Sequence, residues 1–346
     1  MIDFTGVKLK NMATHFVGNK LRDEGIKISD GEVSLPDGDT KKYLLKYFLS
    51  SFVDNEKFNF TNPTELSLNA VYTLISRIFS DTDSFYENSV ELSKHLYSNS
   101  THPKVNGGEF TVCLFENIIL DGIETNAIGV FKTEVKDIFL KFDSTKDNYV
   151  IRYDNGVNVG RLDKGCLVFE QQVQNGFKVC IVDSNKSNDT QYWKDDFLSV
   201  KPLSDEYHFT KNFLSITKDF VTKQLSEEFE VSKADKIDLL NRSVEYFKTH
   251  DRFEKKSFEE AVFDDPEMIQ SFRSYDKEYR GNKNVDISDN FQISSQAVKK
   301  QSRIFKSVLK LDRNFDIYIH GNKDLIEKGI EKDGRKFYKI YYEEEK

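Results

Sequence analysis

The fold is decided by residues 106–131, which read NGGEFTVCLFENIILDGIETNAIGVF. Two mainly apolar runs, at 110–114 and 127–131, lie on either side of Asp121-Gly122, a pair that tolerates positive φ. Short apolar runs bounded by turn residues are typical of strands rather than helices. The stretch therefore predicts two antiparallel strands joined by a tight turn.

The same pattern continues toward residue 182. Further short runs lie at 138–142, 149–153, 166–169 and 177–182, with turn residues at Asn155-Gly156 and Asn175-Gly176. Parallel pairing needs crossover connections of about a dozen residues or more, and these gaps are too short. Residues 106–200 are therefore predicted to form an antiparallel β-sheet region.

Residues 1–105 predict a mainly helical N-terminal region after a short extended start. Apolar residues recur at helical intervals in 41–53, then from Pro63 to Ile78, and more weakly in 84–97. Proline is tolerated in the first turn of a helix, so the second helix is predicted to begin near Pro63.

Residues 201–346 predict a helical region that ends in sheet. Helical spacing returns at 209–220, 237–247 and 268–275, with Ser232 and Ser257 as N-caps and Pro266 in a first turn. Alternation at 315–319 and the pair Asp333-Gly334 between 326–331 and 337–342 predict strands and a terminal β-hairpin. The fold class is α+β: a helical N-terminal part, a central antiparallel sheet, and a helical C-terminal part ending in a β-hairpin.

Composition indicates a folded globular chain. Of 346 residues, 38% are hydrophobic and 31% charged, and 29 Phe with 16 Tyr supply ample apolar area for a core. Uncharged stretches are shorter than the roughly 18 residues that cross a bilayer, and the start has no signal-peptide pattern. Three widely spaced cysteines fit reduced, buried thiols. We expect a cytoplasmic protein that does not enter a membrane.

Common catalytic motifs are absent from the sequence. It contains no phosphate-binding G-x-x-x-x-G-K-[ST], G-x-G-x-x-G, H-E-x-x-H or G-x-S-x-G, and its six histidines are scattered. The pairs Asp195-Asp196 and Asp264-Asp265 fit loops or caps better than a Mg²⁺ site. We predict no catalytic residue, metal or cofactor, and hence no enzyme. A metal-dependent hydrolase or nuclease with carboxylates from separate strands is the least favoured alternative.

One segment concentrates positive charge in an acidic chain. Residues 294–311, SSQAVKKQSRIFKSVLKL, carry five basic residues and no acid, and helical spacing sets the basic arc opposite the apolar arc. The chain has a net charge of −8, whereas 277–313 hold nine basic and four acidic residues, so the other 309 residues carry −13. A basic helix of this kind suits a row of phosphates, and its ordinary alternative is a solvated outer face. The predicted DNA-binding residues are Lys299, Lys300, Arg303, Lys306 and Lys310.

Two further stretches set lysines beside strand-like residues. They are 129–134, GVFKTE, and 162–169, LDKGCLVF. Lys132 and Lys164 are possible anion contacts in a groove, and buried ion pairs or turn positions at strand ends are the favoured interpretation.

These stretches also carry a family resemblance. Residues 127–134 (AIGVFKTE), 162–169 (LDKGCLVF) and 311–321 (LDRNFDIYIHG) resemble the bacterial nucleoid-associated protein family of thirty-seven-kilodalton type, in the form of Bacteroidetes-like bacteria. The resemblance spans most of the chain, including a helical start around 14–20. It implies a cytoplasmic protein at the nucleoid that binds DNA or DNA-bound proteins, with no catalytic motif. Asp316 departs from the His of many relatives, which weakens any metal site on that strand.

Two functions follow as hypotheses. The first is a homodimer that binds the DNA backbone non-specifically through the basic C-terminal helix, since two-fold symmetry doubles the phosphate contacts. The second is an adaptor that binds other nucleoid proteins and touches DNA little, because exposed aromatics favour protein interfaces.

Overall fold

The computed structural model describes residues 2–53, 56–184, 192–283, 285–302, 305, 308–318, 325–342 and 344, with the backbone alone at 308–310. The chain divides into two compact units, Met1–Leu203 and Ser204–Lys346. The predicted N-terminal and sheet regions lie in the first unit. No helix among the described residues is long and apolar enough to span a membrane.

A nine-stranded antiparallel sheet forms the centre of the first unit. The strands in chain order are β1 (Ile2–Asp3), β2 (Lys8–Val17), β3 (Ile26–Lys27), β4 (Lys57–Phe60), β5 (Gly108–Leu120), β6 (Ile123–Thr133), the separately paired β7 (Asp137–Ser144) and β8 (Tyr149–Gly156), then β9 (Lys164–Phe169), β10 (Lys178–Asp183) and β11 (Val200–Pro202). Their order across the sheet is β11-β4-β10-β9-β6-β5-β2-β3, and β1 lies beside β5. The α+β fold class and the central antiparallel sheet are confirmed.

The central strands are buried on both faces. Side chains of β5 alternate, so that Phe110 and Val112 enter one apolar cluster while Cys113 and Phe115 enter another. Helices α2 (Ala70–Ser80) and α3 (Phe85–Asn99) pack on the first face, and α1 (Gly38–Leu49) packs on the second. Covering both faces explains why these strands read as continuous apolar runs.

The tight turns agree with the predicted chemistry at most positions. Asp121 and Gly122 have φ of 53° and 82° between β5 and β6, and Gly176 has φ of 93° before β10. A Cβ on Gly176 would also lie 2.4 Å from the Phe60 carbonyl oxygen, so glycine is required there. Asn155-Gly156 was predicted as a turn and instead ends β8.

Two N-terminal predictions are wrong. Residues 8–17, which include the predicted helical start near Thr14, form a sheet strand because β2 pairs with β5 along nearly its whole length. Long-range pairing of this kind overrides a mixed local pattern. The second helix begins at Ala70 and not near Pro63, because the Asn69 side chain accepts the Tyr72 N–H bond as its N-cap.

The second unit is mainly helical. Its helices are α4 (Glu206–Asp219), α5 (Leu225–Glu228), α6 (Lys233–Thr249), α7 (Lys255–Val262), α8 (Pro266–Lys283) and α9 (Ser295–Ser302), and a π-helical segment, Phe220–Gln224, joins α4 to α5. Its strand pairs are β12 (Arg252–Glu254) with β13 (Asn290–Gln292), β14 (Val308–Leu311) with β15 (Phe315–Tyr318), and β16 (Ile326–Ile330) with β17 (Lys336–Ile340). Phe213 contacts four Phe rings in its core, at centroid distances of 4.3–6.2 Å. The predicted terminal hairpin is confirmed by β16 and β17.

The continuous helix predicted over 294–311 is wrong. Helix α9 ends at Ser302, and Val308–Leu311 is strand β14, paired with β15 from Leu311 opposite Phe315 to Val308 opposite Tyr318. Leu311 and Ile317 pack in one apolar cluster against Ile237 of α6. The apolar residues at 308, 309 and 311 are compatible with the periodicity of a helix and with that of a strand. Packing against tertiary partners therefore decided the conformation.

Candidate nucleic-acid interface

The exposed lysines of α9 sit on a short, well-anchored helix. The Ala297 N–H donates to the Ser294 Oγ at 3.3 Å, which makes Ser294 the N-cap. The Ser294 N–H in turn donates to Thr210 Oγ1 of α4 at 3.0 Å. Ala297 and Val298 are buried. The anchored face therefore fixes which side of α9 reaches solvent.

Lys299 and Lys300 occupy the exposed side of α9. Lys310 belongs to β14, where its backbone pairs opposite Asp316. Arg303 and Lys306 lie outside the described residues. The five predicted residues therefore do not form one stripe on a single helix. Of the five, Lys299 and Lys300 lie on α9.

A surface groove of about 330 Å³ lies beside α9 and the end of α6. Its floor is apolar, with Phe247 and Val298 buried to within a few per cent. Its polar lining residues come from both helices and the chain that follows them: Lys248, His250, Asp251, Ser295, Lys299 and Ser302. No local pattern in the sequence marks Lys248 and His250, because their approach to α9 arises from helix packing.

Nearby carboxylates neutralise the lysines of the groove only weakly. The Lys248 Nζ lies 3.9 Å from the Glu245 carboxylate, and both side chains are more than half exposed, so the pair contributes little to stability. The His250 ring stacks on Tyr246 at 4.1 Å between centroids, with its Nδ1 3.0 Å from the Tyr246 carbonyl oxygen. Two ammonium groups and two serine hydroxyls can therefore meet an anion at this groove, opposed by the Asp251 carboxylate in its lining.

A second groove in the same unit has the opposite charge. It measures about 320 Å³ and is lined by Glu228, Glu267 and Glu278 together with Gln and Ser side chains. Three carboxylates at one surface repel phosphates. Charge therefore distinguishes the two grooves, and the one beside α9 is the better anion site.

Lys132 and Lys164 form ion pairs inside the first unit. They are cross-strand partners at the end of β6 and the start of β9, and both are fully buried. The Lys132 Nζ donates to the Asn106 carbonyl at 2.7 Å and lies 3.4 Å from Glu134, while the Lys164 Nζ lies 2.7 Å from Asp183. Of the two interpretations that the sequence left open, the buried ion pairs are the one observed.

Tyr192 lies between the two buried lysines. Its ring centroid is 5.5 Å from the Lys132 Nζ and 5.3 Å from the Lys164 Nζ, and its hydroxyl donates to Glu134 at 2.9 Å. Burial lowers the pKa of Lys132, opposed mainly by the charge of Glu134, and burial also raises the pKa of Tyr192. We call Lys132, Glu134, Lys164, Asp183 and Tyr192 the buried ion cluster; its charges balance within the protein.

Other reactive residue types are dispersed. Among the described residues no group of three His, Cys, Asp or Glu side chains comes together to hold a metal ion. All three cysteines are buried, and burial raises the pKa of Cys113 and of Cys166, which keeps these thiols protonated. His15 and His95 bond to Ser89 and to the Phe197 carbonyl, and burial lowers the pKa of each.

A family model described as nucleoid-associated protein YejK matches residues 14–335, nearly the whole chain. No curated protein matches the sequence.

Proposed function

The chain belongs to the family of the nucleoid-associated protein YejK, and from that membership we propose that it binds the DNA backbone without reading base sequence. The observation that carries the proposal is the groove beside α9, where Lys248 and Lys299 approach from two helices and Lys300 lies exposed alongside. Lysine binds phosphate as a point charge and does not distinguish bases.

Local charge matters here because the protein as a whole is acidic. A net charge of −8 repels a polyanion at long range, and screening confines that repulsion to about 10 Å at 0.1 M salt. A cluster of lysines in direct contact with phosphates acts inside that distance. Arg303, Lys306 and Lys310 follow α9 in the chain, and we propose that they extend the contact.

The number of contacts sets a measurable salt dependence. Each phosphate neutralised contributes about 0.9 to the slope of log affinity against log salt. The six basic residues named above predict a slope of about −5.4 per chain, and a homodimer, which we also propose, doubles this value.

The test is the variant Lys299→Glu/Lys300→Glu, compared with wild type in duplex binding at several salt concentrations. We expect affinity at low salt to fall at least about tenfold and the slope to lose about 2 units per chain, because two contacts become repulsions. The matched control is Lys233→Glu/Lys256→Glu, two exposed lysines of the same unit that do not line the groove. Equal affinity and slope in both variants would contradict the proposal.

The adaptor function remains the second proposal, and the mainly apolar surface groove lined by Tyr43, Leu44 and Val157 in the first unit favours it. Capture of partners before and after nuclease treatment separates the two. Partners that persist after DNA digestion support an adaptor, whereas their complete loss supports direct DNA binding. We propose no catalytic activity in either case, which incubation with DNA and Mg²⁺ or Mn²⁺ would test.

A further inference from the structure

Strands β7 and β8 form a two-stranded arm between β6 and β9. They pair antiparallel from Asp137 opposite Gly156 to Ser144 opposite Tyr149, and within the described part of the chain they pair with no other strand. A two-stranded hairpin standing alone is only marginally stable in water. Something besides its own hydrogen bonds is therefore expected to support the arm.

One face of the arm carries its ion pairs, and the other is mainly apolar. Cross-strand partners share a face, so the register assigns each side chain to one of two sets. One set contains two ion pairs, with Lys141 2.6 Å from Asp154 and Arg152 2.8 Å from Asp143, and includes two apolar residues, Phe139 and Val150. The other set contains Ser144 and Asn155 and six large apolar side chains, here called the apolar face: Ile138, Leu140, Phe142, Tyr149, Ile151 and Tyr153.

The apolar face is open to solvent. Its six side chains are between 62% and 72% exposed. Antiparallel sheets with alternating polarity normally bury the apolar side and hydrate the other. Here the apolar face is exposed to solvent as well. An exposed apolar face of this kind is typical of a protein interface whose partner is absent.

We propose that a second copy of this chain covers the apolar face, with two arms packed face to face about a two-fold axis. The inference gives an interface to the homodimer proposed above and rests on that proposal. Large side chains this exposed present on the order of 800 Å² per chain, which is the contribution of each partner to a stable interface of standard size. An identical arm matches the face in length and polarity, because a two-fold contact uses the same patch twice.

The chemistry of the arm disfavours other occupants. The apolar face carries no cation, and Lys141 and Arg152 of the opposite face are paired with carboxylates, so neither face offers DNA a row of cations and Lys146 of the connecting turn is the one further basic residue of the arm. Residues 137–156 hold three basic and four acidic side chains, so anionic lipid is not attracted. Two packed arms keep every charged pair of the outer faces in water.

The base of the arm is rigid enough to present this face. The Asp163 Oδ2 accepts the backbone N–H bonds of Glu134 and Val135, at 2.8 and 2.9 Å, where the chain leaves β6. The buried ion cluster lies directly below, at the end of β6 and the start of β9. A pre-formed arm loses less conformational entropy on association than a flexible one.

Sedimentation equilibrium of the full chain tests the proposal. Wild type is expected to be a dimer of the 40.3 kDa chain at micromolar concentration, and Phe142→Asp/Ile151→Asp is expected to be a monomer, with circular dichroism confirming that it remains folded. The control Lys141→Thr/Arg152→Thr alters only the charged face and should remain a dimer. A monomeric wild type, or a dimeric Phe142→Asp/Ile151→Asp variant, overturns the proposal.

Cross-linking supplies a second measurement that does not depend on the stability of the double variant. The three native cysteines are buried, so a cysteine placed on the arm reacts alone. Tyr153→Cys, at the middle of the apolar face, should oxidise to a covalent dimer, whereas Arg152→Cys on the opposite face should not. Equal cross-linking in both would overturn the face-to-face arrangement.

Failure of this inference can be told apart from failure of the DNA proposal. A chain that is monomeric, yet loses DNA affinity in Lys299→Glu/Lys300→Glu, contradicts the homodimer and its arm interface and supports the DNA site. A chain that dimerises through the arm, yet binds DNA equally with and without those lysines, contradicts the DNA site alone.

Discussion

At the scale of single residues, the buried ion cluster shows how charge can be placed inside a sheet. Burying an ammonium group is costly unless a carboxylate and hydrogen-bond acceptors replace its water. Lys132 has Glu134, the Asn106 carbonyl and the Tyr192 hydroxyl, and each lies within 3.4 Å of its Nζ. The cluster lies at the end of β6 and the start of β9, where the arm leaves the sheet. Its ion pairs therefore help to position the base of the arm.

Removing one partner from this cluster should be far more damaging than breaking a surface pair. Glu134→Gln keeps the shape and removes the charge, leaving Lys132 without its carboxylate, and we expect a loss of about 3 kcal/mol in unfolding free energy. Urea unfolding followed by the fluorescence of Trp193, the single buried tryptophan of this unit, measures it.

The matched control is Glu109→Gln, which removes the solvent-exposed partner of Lys136. Exposed pairs contribute about 1 kcal/mol or less. If the two variants lost equal stability, Lys132 would have to be solvated or neutral in the folded protein.

At the scale of elements, the start of a helix was predicted correctly where the capping side chain and the third residue of the helix bond to each other's backbone N–H groups. The Ser232 side chain accepts the Asp235 N–H bond, and the Asp235 side chain accepts the Ser232 N–H bond, which completes a capping box on α6. Ser257 was predicted as a second cap and lies inside α7, which begins at Lys255. The short strand β12 pairs with β13 immediately before α7, and this pairing sets where the helix starts.

These two serines give a sharp prediction. Ser232→Ala should cost about 1 kcal/mol of stability, because the first turn of α6 loses its acceptor. Ser257→Ala should be neutral or slightly stabilising, since alanine has the higher helix propensity in a helix interior. Thermal unfolding followed by far-ultraviolet circular dichroism measures both, and an equal loss in the two variants would mean that Ser257 also acts as a cap.

At the scale of the whole molecule, the distribution of charge matters more than its sum. Residues 277–313 carry +5 and the remaining 309 residues carry −13. An acidic body limits indiscriminate binding to polyanions, while a local excess of lysine offers the short-range phosphate contact that we propose. This division of charge fits the proposed binding of DNA at one place.

The position of the protein in the cell tests this picture directly. A fluorescent fusion of the wild-type chain should concentrate on the nucleoid, as its family membership implies. Lys299→Glu/Lys300→Glu should make the signal diffuse if DNA contact through α9 holds the protein there, and Lys233→Glu/Lys256→Glu should not. A signal that stays on the nucleoid in both variants would favour attachment through other proteins.

The sequence by itself determined the features that depend on neighbours along the chain. The turn at Asp121-Gly122, the capping residue Ser232, the short apolar strands of the central sheet and the terminal hairpin all follow from local conformational preference. The family motifs at 127–134 and 162–169 were also visible, although their pairing across β6 and β9 was not.

Only the tertiary structure decided the features that depend on distant partners. Residues 8–17 became a strand because β5 was available to pair with them, and the predicted basic helix stopped at Ser302 because Leu311 packs against Ile237 as part of a strand. The groove joins Lys248 to Lys299 from helices about fifty residues apart, and the register of β7 and β8 sorts their side chains into a charged and an apolar face. Local sequence encodes dihedral preference and polarity, whereas burial and proximity are properties of the packed chain.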